Sequence, residues 1–165
     1  MSVSLLTRRQ VRHALGYIGL GMYREAAAEL DAVVAAEKPL PEVRSVRLDL
    51  CMAAKQWADA VKVGSALAGD HPACENAWIG WAYALRELQR VPEARDILLE
   101  AEKHHGGKSA VLHYNLACYD SLLGELASAR ARLATACRMD QRFKVESEDD
   151  PDLQALRDAR RKTKR

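Results

Sequence analysis

The chain has 165 residues, 48% of them hydrophobic and 29% charged, and a formal net charge of +2. This is the composition of a folded chain long enough to bury a core. It excludes an intrinsically disordered chain and a field of one sign that would draw the protein to nucleic acid or a lipid surface. No run approaches the roughly 20 apolar residues of a membrane span, and Arg8 and Arg9 interrupt the N-terminal apolar stretch of Val3, Leu5 and Leu6, so neither membrane insertion nor a signal peptide is expected.

Alanine, leucine, arginine and glutamate dominate and favour helix, while 5 prolines and 9 glycines interrupt it seldom. Apolar and small residues recur at three- and four-residue spacing. With the 34-residue recurrence set out below, they predict helix pairs over residues 7–40, 41–74, 75–108 and 110–143. In the first pair, Ala14 marks a close approach, Gly21 suits a left-handed helix end, and Ala26 opens the second helix. Pro41 fits the first turn of the next pair. That pair has Arg44 and Arg47 where large apolar side chains are wanted, so its stripe is expected through Val43, Val46, Leu50 and Ala54. The third pair is clearest, with Trp78, Trp81, Ala82 and Leu85 followed by Ala94 and Leu98. The fourth has Ala117, a glycine end at Gly124, and Ala129. Beyond 143, Glu146 to Asp150 reads as an acidic loop. Asp150 and Pro151 then start a capping helix over 151–162, with Leu153, Leu156 and Ala159 on one side, and Arg160 to Arg165 as a solvated basic tail.

Ala26, Ala60, Ala94 and Ala129 stand 34, 34 and 35 residues apart, each three residues after Tyr23, Trp57, Val91 or Leu126. Trp78, Trp81, Ala82 and Leu85, with Ala94 and Leu98, follow the pattern W-x2-L-G-x2-Y, then A-x3-F. The chain therefore resembles the tetratricopeptide repeat family over nearly its whole length, and the stretch from Tyr114 to Tyr119 with the Asp150-Pro151-Asp152-Leu153 ending is similar to small bacterial members.

The resemblance implies an all-α fold. It would be a right-handed α-α superhelix of about four helix pairs plus the C-terminal cap, forming a single domain over 1–165. It implies a scaffold that binds a protein or peptide in a concave groove lined by the first helix of each pair. The alternatives are a self-associating structural module and a secretion-type chaperone. Carried over position by position, the groove would comprise Val11, Leu15 and Ile18, then Asp49 and Met52, then Asn76, Ile79, Tyr83 and Arg86, and finally Tyr114 and Cys118. Tyr83 and Tyr114 would be the anchors, with Arg86 facing an acidic group of the partner. Some members clamp carboxylates with a lysine and an asparagine, but those slots hold Val11 and Leu15 here. The chain's own cap helix, or a second subunit in a homo-oligomer, remains an alternative occupant of the wall. Asp120, in a slot for a large residue, is expected to face solvent, cap a neighbour or pair with an arginine.

No catalytic constellation emerges. Cys51, Cys74, Cys118 and Cys137 form no close metal pair and suit a reducing cytoplasm. His104 and His105 point about 100° apart on a helix. His113 and Cys118, five residues apart, do not share a helix face. There is no Walker loop, GxGxxG, HExxH or serine elbow. No enzyme activity, cofactor, metal or nucleic-acid partner is expected.

Overall fold

The computed structural model describes residues 3–162, which form helices joined by short turns, with no strand among them. The chain divides into two compact units, Met1–Ala84 and Leu85–Arg165.

The first unit contains α1 (Leu5–Gly19), α2 (Tyr23–Asp31), α3 (Pro41–Ala53), α4 (Trp57–Asp70) and most of α5 (Glu75–Glu87). Ser4 starts α1 by accepting a hydrogen bond from the Thr7 amide at 3.2 Å. Ala14 and Ala26 are fully buried and let α1 and α2 close together over Leu30, Val33, Val43, Val46 and Leu50. The stripe expected for α3 is therefore present except at Ala54, which ends the helix. Leu48, Cys51, Ala60 and Ala84 form a second cluster. Leu48 occupies the slot that Ala14, Ala82 and Ala117 fill in the other first helices. Its space comes from Gly80, where an added Cβ would lie 2.8 Å from Leu48 Cδ2. Gly64 gives α5 its seat on α4 in the same way, since a Cβ there would stand 2.9 Å from that of Trp81.

The second unit continues with α6 (Val91–His105), α7 (Ala110–Leu122), α8 (Leu126–Met139), α9 (Arg142–Asp149), a 3-10 turn (Pro151–Leu153) and α10 (Gln154–Lys162). Ser109 caps α7, and from Leu112 to Ser121 every residue but Asn115 is buried.

One turn recurs after each first helix. Gly21, Lys55, Gln89 and Gly124 have φ of 73°, 57°, 61° and 82°. The next amide in each case reaches back five residues: Met22 to Tyr17, Gln56 to Cys51, Arg90 to Leu85 and Glu125 to Asp120, at 2.8–2.9 Å. This is the left-handed helix end expected at the two glycines, and the same geometry is imposed on a lysine and a glutamine.

Residues 146–149 are helical, not the acidic loop expected. The Asp140 carboxylate accepts the Arg142 amide at 3.0 Å in the turn that leads into α9, and buried Phe143 anchors the helix. Asp150 caps the following turn by accepting from the Asp152 amide at 2.9 Å, and Leu153 and Leu156 are buried. The expected basic tail falls outside the described residues at 163–165, as do the side chains of Arg160 and Lys162.

Candidate functional site

In the first unit the expected wall residues separate into two groups. Val11 and Ile18 pack against the core of α1, α2 and α3, while Leu15 is 45% exposed. Met52 and Trp57 rest on the second cluster. Asn76 Nδ2 donates to Asp49 Oδ1 at 3.1 Å, tying α5 to α3. Ile79 is half-buried. Tyr83 is 40% exposed, with its ring 6.0 Å from that of Trp57 and tilted 56° to it. The structure thus joins Asp49 to Asn76 and sets Tyr83 beside Trp57. In the sequence Trp57 stands out only as a marker of the repeat, three residues before Ala60, with no place on the expected wall.

In the second unit the wall residues meet the chain's own C-terminal segment. Arg86 Nε donates to Asp152 Oδ2 at 2.8 Å, Nη2 donates to Oδ1 of the same carboxylate, and Nη1 reaches Glu87 at 2.6 Å. The Tyr114 ring stacks on Phe143 with centroids 4.4 Å apart, and its hydroxyl donates to Asp150 Oδ2 at 2.7 Å. The Cys118 thiol lies 3.6 Å from the same oxygen. Tyr114 and Cys118 are 7% and 3% exposed. Arg86, Tyr114 and Cys118 therefore engage residues 143–152, the self-filled arrangement held open above.

The same burial decides the chemistry. It pushes the Tyr114 phenol and the Cys118 thiol up, and Asp150 beside them adds to the effect. Cys118 stays a protonated thiol, a poor nucleophile. His113 points elsewhere: its Nε2 donates to the Gly106 carbonyl at 2.7 Å, and Nδ1 lies 3.4 Å from Arg132. No Cys–His pair is assembled. Among the described residues no group of three or more His, Cys, Asp or Glu is placed to hold a metal ion. Asp120 is 1% exposed and pairs with Arg95, with Ser128 Oγ donating to its second oxygen. Of the three roles open to it, pairing with an arginine is the one observed.

The departures of the second helix pair also find a place. In α5, Trp78 is buried, donates from Nε1 to the Pro72 carbonyl at 2.9 Å and stacks on Trp81. In α3 the corresponding Arg44 and Arg47 border a cavity of about 360 Å³, rimmed further by Lys38 and Lys62 and walled by Val43, Val63 and Ala66.

No protein-family model and no curated protein matches the chain significantly. Solved structures do. A thermophilic TPR protein of Thermus thermophilus, TTC0263, superposes with a TM-score of 0.69 at 19% identity, covering 82% of this chain and 75% of that one. MamA AMB-1 gives 0.67 at 12% identity, covering 93% and 86%. MamA MSR-1 gives 0.63 at 12%, covering 97% and 99%. The fold is thus the all-α, helix-pair fold of the tetratricopeptide proteins. No helix among the described residues is long and apolar enough to cross a membrane.

Proposed function

We propose that the protein is a non-enzymatic scaffold that holds a peptide or protein segment against the first-helix face of its first unit. The observation that supports this is Tyr83. It is a large amphipathic side chain left 40% exposed beside Trp57, on the same helix as Asn76, which is bonded to Asp49 of α3. An aromatic anchor next to fixed polar groups suits a segment that inserts one apolar side chain and is held by its backbone. The four cysteines are free thiols, which supports a reducing, cytoplasmic setting. In the second unit the equivalent residues are already engaged, so Tyr114 and Cys118 contribute no contact to this reading.

A photo-crosslinking residue at position 83 tests the proposal, with one at Tyr23 as an exposed control. A discrete adduct from position 83, absent from position 23 and lost when Trp57 is also replaced by alanine, is expected. Equal labelling from both positions would move the binding face elsewhere.

A further inference from the structure

Arg44 and Arg47, which stand where α5 carries two tryptophans, border the cavity beside α3. Its walls, Val43, Val63 and Ala66, are apolar, and its rim carries four cations. Three of these have carboxylate neighbours. Arg44 pairs with Asp70 at 2.7 Å, Arg47 with Asp31 at 2.6 Å and Lys62 with Asp59 at 3.0 Å. The aspartates are 57–67% exposed, and such open pairs hold their cations weakly. The rim is therefore ready to exchange them for carboxylates brought by a ligand that also fills the apolar interior.

The chain carries such a ligand. On α9 Phe143 is buried, but Val145 is 73% exposed. Glu148 and Asp149 follow it by three and four residues, on the same face of the helix. Both are exposed, and among the described residues neither forms an ion pair. An apolar knob flanked by two free carboxylates complements an apolar cavity ringed by cations.

We propose that α9 of one copy docks into the Arg44–Arg47 cavity of a second copy, with Val145 entering it and Glu148 and Asp149 meeting its cationic rim. The two surfaces differ, so each copy offers both a helix and a cavity to its neighbours. A single short helix buries little area, so association is weak and depends on salt. The surface is separate from the Tyr83 face and stands independently of it.

Sedimentation equilibrium on the full chain tests the proposal. The parent is expected to self-associate at about 50 mM salt and at least tenfold more weakly at about 500 mM. Three variants change exposed side chains only: Lys38→Glu with Lys62→Glu, Glu148→Arg with Asp149→Arg, and Val145→Glu. Each is expected to keep parental helicity by circular dichroism and to lose at least tenfold in association. Mixing the first two restores it, because each supplies the charge that the other now complements. A parent that is monomeric at low salt overturns the proposal, as do charge variants that associate like the parent. A monomeric parent that takes up an unrelated acidic peptide through Lys38 and Lys62 also overturns it, and assigns the cavity to a different protein.

Discussion

Glu102 shows how single residues tie the second unit together. Its carboxylate takes two hydrogen bonds from Arg132, one of them at 2.9 Å, with the His113 ring nearby. The arginine holds the Glu102 carboxyl below its usual value of 4.5. A carboxylate lowered by folding adds stability above the unfolded pKa and loses it as pH falls through the folded one. The side chain is 32% exposed, so its contribution is about 1 kcal/mol or less. Glu102→Gln is expected to lower the urea midpoint at neutral pH and to leave a smaller drop below pH 4.5 than the parent shows. Parallel midpoints across that range would remove the pair from the stability of the fold. Residues of this kind were only half legible in the sequence. Asp120 stood out because a carboxylate filled a slot for a large residue, yet its partner Arg95 lies on another helix, where spacing along one chain segment says nothing. Val11 and Ile18 were expected on an open wall. With Ala14 they form an i, i+3, i+7 stripe, and α1 turns that stripe toward α2 and α3.

The elements themselves were largely readable, because an alanine returning at 34-residue spacing fixes where each second helix starts. The turns between the helices were readable only where glycine marked them. Lys55 and Gln89 hold φ of 57° and 61° in the turn where Gly21 and Gly124 stand in the outer pairs. A side chain in the left-handed region costs about 1 kcal/mol. Lys55→Gly and Gln89→Gly are each expected to raise stability by about that amount in urea unfolding, despite the larger entropy of glycine in the unfolded chain. A fall in midpoint would mean that the two long side chains stabilise their turns by packing. The region around 146–150 was misread for a related reason. Its acidic composition argues for a loop, whereas α9 begins in a turn in which Asp140 accepts the Arg142 amide, and is held by the anchor Phe143, both outside the segment.

For the whole chain, the all-α repeat fold was legible from the period together with the resemblance to tetratricopeptide repeats that it supports, and the cap from Asp150-Pro151 and its leucines. What the cap covers was not, because it joins residues as far apart as Arg86 and Asp152. Burial of Leu153 and Leu156 contributes roughly 1.5–3 kcal/mol each. Deleting 151–165 is expected to lower stability by several kcal/mol and to open Cys118 to thiol reagents that scarcely touch it in the parent. An unchanged urea midpoint with Cys118 still shielded would show that the segment is dispensable. The sequence left two occupants of the wall open, the chain itself or a partner. The structure gives one answer for Arg86, Tyr114 and Cys118, while Tyr83 stays exposed.

The unequal burial of α1 and α7 has a kinetic side. In a helical array, opening proceeds helix by helix from the less protected parts. α1 has three buried residues, Thr7, Gln10 and Ala14, two of them polar, whereas α7 buries nine of its thirteen. Amide protons of α7 are therefore expected to exchange with deuterium last, through global unfolding, and those of α1 much earlier, through local fraying. On that expectation α1 opens and re-forms many times within the lifetime of one intact molecule.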